Sequence, residues 1–213
     1  MNILITGGTG FIGKQIAIKI LELGTISFDG QAAQTIDKVI LFDAFAGEEL
    51  PQDPKIQVIT GDITDKSLVE KITENIDVVW HLAAVVSSAA EADFDLGMNV
   101  NLYGLLTLLE ALRKHGSKPR VIFASGCAVF GGELPDVVTD QTVVTPKSSY
   151  GMQKAIGELL VSDYSRKGFI DGRVLRLPTI VVRPGKPNKA ASTVFSSIIR
   201  EPLKGESAIC PVQ

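Results

Sequence analysis

The sequence predicts an α/β fold in which helices cover both faces of a doubly wound parallel sheet. Three observations support this fold class. Short apolar runs rich in β-branched residues alternate with longer amphipathic stretches, a glycine-rich turn follows the first of these runs, and 45% of the 213 residues are hydrophobic. Such alternation is typical of parallel strands that are joined by helices. The chain is therefore expected to fold around one sizeable core.

The alternating runs predict six strands and four helices. Strands are expected at residues 3–6, 39–43, 57–60, 78–82, 121–125 and 174–177, and helices at 14–23, 67–74, 92–114 and 149–167. The third helix carries an apolar stripe of leucines, Leu102, Leu105, Leu106, Leu109 and Leu112. Residues 24–38 are polar and predict a surface insertion, whereas the proline-containing stretches 134–146 and 183–188 predict loops.

Composition and charge exclude several function classes. The 21 Lys and Arg are scattered among 24 Asp and Glu, for a net charge of -3, so nucleic acid is not an expected partner. The sequence has no run of about 18 apolar residues and no N-terminal signal pattern, so no membrane anchor is expected. Cys127 and Cys210 have no neighbouring Cys or His at ligand spacing. We therefore expect no disulfide framework, no metal site and a cytoplasmic protein.

A glycine-rich turn, residues 7–13, connects the first strand to the first helix. Gly7, Gly10 and Gly13 allow a tight turn, a close approach of the backbone to a pyrophosphate and close helix packing. The helix N-terminus adds free N–H groups and a positive dipole. This context predicts a dinucleotide-binding Rossmann domain, although the glycines could also serve only as a turn.

A mononucleotide P-loop is the competing interpretation of the same turn. Gly8, Gly13 and Lys14 satisfy its G-x-x-x-x-G-K pattern. The next residue is Gln15, however, where that loop needs a Ser or Thr hydroxyl for magnesium. The dinucleotide is therefore favoured.

Asp43 at the end of the second predicted strand indicates which dinucleotide is bound. A carboxylate there can accept hydrogen bonds from both ribose hydroxyls of the adenosine. Residues 44–47 contain no Lys or Arg that could neutralise a 2′-phosphate. NAD is therefore the expected cofactor rather than NADP, the alternative being that Asp43 is an ordinary solvated acid.

Tyr150 and Lys154 stand four residues apart at the start of the fourth predicted helix, which places them on one face. An ammonium near a phenol stabilises the phenolate, so Lys154 is expected to lower the pKa of Tyr150. Such a pair also occurs by chance. Beside a dinucleotide turn, it predicts general acid/base catalysis by Tyr150.

These features resemble the extended, epimerase-like branch of the short-chain dehydrogenase/reductase superfamily. The matching residues are 6–13, Gly61-Asp62, 81–84, Asn101, 129–131, Tyr150 with Lys154, and 176–178. The resemblance implies that Asp62 contacts the adenine and that Lys154 holds the nicotinamide ribose. The complete set of expected cofactor-binding residues is Gly7, Gly10, Phe11, Ile12, Gly13, Asp43, Asp62, Ile63, Leu82, Ala83, Ala84, Asn101, Tyr150, Lys154, Pro178 and Thr179.

Residues 81–95 and 177–188 are similar to members of this branch that oxidise small sugar acids. The resemblance implies NAD-dependent oxidation of a secondary hydroxyl of such an acid, with Arg183 pairing with the substrate carboxylate. A homodimer is the candidate assembly. A nucleotide-sugar epimerase or dehydratase with a retained NAD is one alternative, and a non-catalytic NAD-binding protein is another.

The sequence departs from the family pattern at two places. Gly126 occupies the position of the catalytic Ser or Thr, so Ser125, one residue earlier, is the candidate hydroxyl for catalysis and substrate binding. Because neighbouring strand residues face opposite ways, Ser125 can serve only if the strand has already turned. Second, the family continues well beyond residue 213. Residues 1–182 are thus the predicted NAD-binding domain, and 183–213 the start of a substrate lobe that is largely missing.

Overall fold

Eight strands form two sheets in the computed structural model, which describes residues 1–182 and 193–209. The strands are β1 (Asn2–Thr6), β2 (Thr25–Ile26), β3 (Gln34–Thr35), β4 (Lys38–Asp43), β5 (Ile56–Thr60), β6 (Val78–His81), β7 (Arg120–Gly126) and β8 (Asp171–Leu177). The larger sheet has the order β5-β4-β1-β6-β7-β8, and all its strand pairs are parallel. The predicted doubly wound sheet is therefore confirmed.

Seven helices connect or flank these strands in the described part of the chain. They are α1 (Phe11–Leu23), α2 (Lys66–Ile72), α3 (Ser87–Ala92), α4 (Phe94–Gly97), α5 (Gly104–His115), α6 (Ser149–Arg166) and α7 (Thr193–Leu203). A π-helical segment, Met98–Tyr103, joins α4 to α5, and a short 3-10 turn, Cys127–Val129, follows β7. Among the described residues, no helix is both long and apolar enough to cross a membrane.

Alternate residues of the strands bury two apolar clusters, one on each face of the sheet. Leu4, Val79 and Phe123 belong to the cluster that packs against α2, α5 and α6. Ile5 and Ile122 belong to the cluster on the opposite face, which includes α1. Burial on both faces explains why the strands consist of continuous apolar runs rather than alternating apolar and polar residues.

The order of the strands positions the ligand-binding edge. From β1 the chain moves outward to β4 and β5, and then returns to β6 on the other side of β1. The direction of winding therefore reverses between β1 and β6. In sheets of this kind, ligands bind in the crevice at the carboxyl ends of the strands beside that reversal.

The predicted surface insertion at 24–38 contains a small hairpin made of β2 and β3. Its residues are mostly exposed, but Phe28 is half-buried against the core. The guanidinium of Arg120 at the start of β7 lies 4.3 Å from the Phe28 ring centre and also pairs with Asp29. The insertion is thus fastened to the sheet, far from the carboxyl ends of the strands.

The single helix predicted over 92–114 is wrong in its first half. Asp93 caps α4 by accepting a hydrogen bond from Leu96 N at 2.9 Å, and the π-helical segment separates α4 from α5. Within that segment, Asn101 is buried and bonded to the backbone of Val85. The leucine stripe in the sequence does not indicate where an α-helix widens into a π-helix. The loop predicted at 134–146 is confirmed, whereas 183–188 lies outside the described residues.

Candidate active site

The glycine-rich turn brings the backbone of β1 close to the loop after β6. Gly7 has a φ of +69°, and a Cβ there would lie 2.9 Å from Ala83 N. A Cβ at Gly13 would lie only 2.4 Å from Gly7 O. The N-cap of α1 is Gly10, and no side chain caps this helix end. The turn therefore presents backbone N–H groups and the positive end of α1, which fits a pyrophosphate.

Two adjoining cavities lie along the carboxyl edge of the sheet. The larger, about 730 Å³, is lined by the expected cofactor residues Gly7, Gly10, Asp43, Asp62, Ile63, Leu82, Ala83 and Ala84. The smaller, about 360 Å³, is lined by Ile12, Ser125, Tyr150, Lys154, Pro178 and Thr179. Leu82 and Ala84 belong to both walls. The structure thus groups the expected adenosine residues at one end and the expected nicotinamide residues at the other.

Asp43 and Asp62 both line the larger cavity. Asp43 Oδ2 accepts a hydrogen bond from Thr9 N at 3.2 Å, which fixes the carboxylate beside the glycine-rich turn. Asp62 Oδ1 accepts bonds from Thr64 N and Thr64 Oγ1, both at 2.8 Å. Each carboxylate keeps one oxygen that these bonds do not use. Both carboxylates are therefore held by hydrogen bonds and can still accept a hydrogen bond from a ligand.

The start of α6 holds Tyr150 at the smaller cavity. Ser148 caps the helix by accepting a bond from Gly151 N at 3.1 Å. Glu91 on α3 accepts a second bond, from Ser149 N at 2.9 Å. These two contacts satisfy N–H groups at the helix end that carries Tyr150. The position of the phenol is therefore set by residues of α3 and α6 together.

Lys154 lies one turn further along α6, almost fully buried. Its Nζ donates a hydrogen bond to Ala124 O at 2.7 Å and lies 4.9 Å from the Phe123 ring centre. The distance from Nζ to the Tyr150 ring centre is 5.6 Å. Burial lowers the pKa of Lys154 to about 8, so the side chain is mostly cationic at neutral pH.

The predicted lowering of the Tyr150 pKa is wrong for this arrangement. Burial raises the pKa of Tyr150, and the negative charge of an ionised Cys127 nearby raises it further. Lys154 donates to Ala124 O, and so its ammonium does not offset the loss of water around the phenol. Tyr150 is therefore a neutral phenol at pH 7.

Ser125 and Gly126 differ sharply in their surroundings. Ser125 Oγ donates to Glu158 Oε1 at 2.5 Å, and Glu158 pairs with Arg176 at 2.7 Å. β7 continues through Gly126, whose φ of −163° and ψ of 169° are extended, so the strand has not turned at Ser125. The hydrogen of the Ser125 hydroxyl is committed to Glu158 in this arrangement. A role for Ser125 toward substrate stays a prediction.

Gly126 leaves space for a side chain. A Cβ there would have one neighbour within 4 Å, the backbone oxygen of Leu177 at 3.6 Å, which is an ordinary van der Waals contact. Neither a positive φ nor a close backbone approach requires glycine at this position. The surroundings of Gly126 therefore do not exclude the Ser or Thr that the resemblance places at this position.

Asn101 is bonded to the loop after β6 and lines neither cavity. Its Oδ1 accepts from Val85 N at 2.8 Å, and its Nδ2 donates to Gln153 Oε1 at 2.8 Å. The π-helical segment therefore ties the loop after β6 to α6, next to Lys154. Phe11 and Gly13 also lie outside both cavity walls, and Arg183 lies outside the described residues.

His81 fits a packed histidine. It is buried, and its Nδ1 lies 2.7 Å from Thr6 Oγ1. Burial lowers the pKa of His81 to about 3, and the Lys154 charge adds to this. His81 is therefore neutral at pH 7.

Sequence reasoning missed Glu158, Phe45 and the exposed thiol of Cys127. Glu158 stands four residues after Lys154, so the helical spacing that joined Tyr150 to Lys154 could have found it. Phe45 and Cys127 line the larger and the smaller cavity, respectively. They lie in irregular segments, where no periodicity indicates which way a side chain points. Among residues 1–182 and 193–209, no group of three or more His, Cys, Asp or Glu could hold a metal ion.

Comparison with known proteins identifies relatives over the entire chain. D-erythronate dehydrogenase of Cupriavidus necator is 57% identical over 213 residues, which are 100% of this chain and 65% of the relative. D-erythronate dehydrogenase of Haemophilus influenzae is 49% identical with the same coverage. The crystal structure of a nucleoside-diphosphate-sugar epimerase from Agrobacterium tumefaciens superposes with a TM-score of 0.89 at 45% identity, covering 100% of this chain and 63% of that one.

The chain thus spans slightly less than two thirds of the length of these relatives. Residues 3–212 match the family described as the NAD dependent epimerase/dehydratase family. The chain belongs to the NAD dependent epimerase/dehydratase family.

Proposed function

We propose that this chain supplies the NAD site and the proton-transfer residues of a dehydrogenase that oxidises a secondary hydroxyl of a small sugar acid. The observation that carries the proposal is the placement of Tyr150 and Lys154 on the wall of the smaller cavity, which shares Leu82 and Ala84 with the cavity at the glycine-rich turn. D-erythronate is the first candidate substrate, because the relative at 57% identity is named for it.

The residues of both cavities have complementary tasks toward NAD. The glycine-rich turn and the start of α1 bind the pyrophosphate, and Asp43 accepts hydrogen bonds from the adenosine ribose. Asp62 and Ile63 contact the adenine, whereas Pro178 and Thr179 contact the nicotinamide end. NAD, when bound, supplies the hydride acceptor for the carbinol carbon.

Tyr150 moves the proton in this reaction. Oxidation of an alcohol releases the hydroxyl proton, and Tyr150 takes it when its own oxygen is deprotonated. Because burial raises the pKa of Tyr150, the phenolate is scarce at neutral pH and its share grows with pH. Lys154 holds a positive charge close to the phenol and holds the nicotinamide ribose. Arg183 is proposed to pair with the substrate carboxylate.

The decisive experiment is a screen for NADH formation with four-carbon and longer aldonic acids, run in parallel with UDP- and dTDP-sugars. The proposal expects NADH to accumulate with a four-carbon acid and NAD much faster than NADPH accumulates with the same acid and NADP. Conversion of a nucleotide sugar without net NADH formation would contradict it.

Two alternatives have specific support. An epimerase with a retained NAD is supported by the superposition on the A. tumefaciens epimerase. NAD that remains with the protein after desalting would favour it. A non-catalytic NAD-binding protein is supported by Gly126 and by the engagement of Ser125 with Glu158. Bound NAD without turnover of any hydroxy acid would favour that alternative.

The proposal also includes a homodimer and a cytoplasmic location. Analytical ultracentrifugation tests whether the chain forms a homodimer.

A further inference from the structure

Residues 44–50, which follow Asp43, fold back over the glycine-rich turn and are called the 44–50 segment. Thr9 Oγ1 donates to Phe45 O at 3.1 Å, and Lys14 Nζ donates to Glu48 O at 3.0 Å. A Cβ at Gly47 would lie 2.5 Å from Thr9 Cβ, so only glycine permits this approach. Leu50 packs on the core beneath. The segment is therefore held against the turn by two hydrogen bonds and one close contact.

The first two residues of this segment line the larger cavity. Asp43, Ala44 and Phe45 all line that cavity, and Phe45 is 78% exposed there. Glu48 and Glu49 add two exposed carboxylates, and the segment contains no Lys or Arg. Asp43 itself is fixed by Thr9 N. Asp43, Ala44 and Phe45 therefore line the side where the adenosine ribose is proposed to lie, and the segment, which carries the two carboxylates, is bonded to Thr9 and Lys14.

Lys14 is the residue that made the turn resemble a P-loop. In a P-loop, the equivalent lysine reaches the phosphates of the nucleotide. In this chain the Lys14 ammonium instead donates to a backbone carbonyl of the 44–50 segment. We propose that Lys14 is a specificity-determining residue that holds the 44–50 segment as a wall against the 2′-phosphate of NADP. The inference rests on the NAD binding proposed above.

The sign of the expected effect separates this role from direct phosphate binding. NADP carries more negative charge than NAD, so the loss of a nearby cation would by charge alone weaken NADP more than NAD. A loosened wall has the opposite consequence, because Asp43 and the acidic segment can then move away from a 2′-phosphate. A smaller preference for NAD in a Lys14 variant therefore indicates a tether.

Two variants and one control test the inference by calorimetric titration with NAD and with NADP. Lys14→Met removes the bond to Glu48, and Gly47→Ala pushes the segment away from Thr9 without a change in charge. Both are expected to reduce the ratio of the NADP to the NAD dissociation constant about three- to tenfold, the effect of one lost hydrogen bond. The control Lys19→Met removes an exposed lysine from the same helix and should leave the ratio unchanged.

Hydrogen exchange on the protein without nucleotide provides a second measurement that does not depend on activity. Amides of residues 44–50 should exchange faster in Lys14→Met and Gly47→Ala than in the unchanged chain. An unchanged ratio in both variants, or equal weakening of NAD and NADP by Lys14→Met, overturns the inference while the proposed NAD site stands. If the unchanged chain binds neither dinucleotide, the proposed function fails and the inference fails with it.

Discussion

The Nζ of Lys154 donates a hydrogen bond to the backbone oxygen of Ala124 across 2.7 Å, which anchors a cation inside the fold at the end of β7. The side chain is only 3% exposed, and no carboxylate within residues 1–182 and 193–209 forms an ion pair with it. Burial of this charge is the cause of its lowered pKa. The site therefore keeps a cation at the expense of folding stability.

Replacement of Lys154 by Met should stabilise the fold and impair the site. Because the pKa falls from 10.5 to about 8, keeping the charge buried costs about 3 kcal/mol at neutral pH. Loss of the bond to Ala124 O offsets about 1 kcal/mol of that gain. We expect Lys154→Met to gain about 1–2 kcal/mol of unfolding free energy in urea titrations and to lose NAD affinity in calorimetry.

The same residue predicts a pH dependence with a definite sign. Between pH 8 and 10.5 the unfolded chain binds more protons at Lys154 than the folded chain, so stability should rise with pH across this window. Below about pH 8 both states are protonated and this contribution is constant. Urea titrations at several pH values should show the rise in the unchanged chain and in the exposed-lysine control Lys71→Met. An identical rise in Lys154→Met would contradict the assignment.

Replacement of Tyr150 by Phe should leave NAD binding nearly intact and lower turnover by about 100-fold or more, the usual size of a general acid/base contribution. The aromatic ring still fills the wall of the smaller cavity, and only the hydroxyl is lost. Stopped-flow measurement of NADH formation provides the rate, and calorimetry provides the affinity. The control Tyr103→Phe changes a half-exposed tyrosine that lines neither the larger nor the smaller cavity and should keep full turnover. Full turnover by Tyr150→Phe would require another proton acceptor.

Replacement of Asp43 by Ala should narrow the preference for NAD over NADP. The carboxylate is expected to contribute about 2–4 kcal/mol to this preference, through charge-assisted hydrogen bonds to the ribose and repulsion of a 2′-phosphate. Titration with both dinucleotides measures the change, and Asp136→Ala, in an exposed loop, is the matched control. Equal affinities of the unchanged chain for NAD and NADP would rule out this role.

The fold could be predicted because its pattern is local and repeated. Buried strands such as 39–43 are continuous apolar runs, and helical spacing alone is enough to place Tyr150 and Lys154 on one face. The right-handed connections between parallel strands then limit the strand orders that such a sheet can have.

The interactions that tune the site were beyond the sequence because they join residues far apart in the chain. Asn101 in the π-helical segment accepts a hydrogen bond from Val85 N, and the Ser125 hydroxyl donates to Glu158 on another element. The direction of the Tyr150 pKa shift depends on burial by several elements. Sequence spacing therefore indicated that Tyr150 and Lys154 lie on one helix face, and tertiary packing set the pKa shifts of both groups.

The missing hydroxyl at Gly126 leads to the last prediction. A serine Cβ would meet Leu177 O at 3.6 Å without strain, and the backbone is extended there. Gly126 lines the smaller cavity with Tyr150 and Lys154. Gly126→Ser should therefore add a hydrogen bond that strengthens as charge develops on the substrate oxygen. We expect a gain of about 1–3 kcal/mol in transition-state stabilisation, or about five- to 150-fold in kcat/KM.

Ser125→Ala distinguishes the two serine positions. If the bond to Glu158 is only structural, Ser125→Ala should reduce stability by about 1 kcal/mol, the usual contribution of one hydrogen bond, and leave kcat nearly unchanged. Glu158 Oε1 still accepts from Arg176 Nε at 3.0 Å in that variant. If the Ser125 hydroxyl instead leaves Glu158 and binds substrate, Ser125→Ala should strongly lower kcat. Gly126→Ser should then leave kcat/KM unchanged. Kinetics of both single variants and of the double variant settle the choice. No change in kcat/KM for either single variant would remove a serine hydroxyl at both positions from the mechanism, and Tyr150 alone would then bind the reacting oxygen.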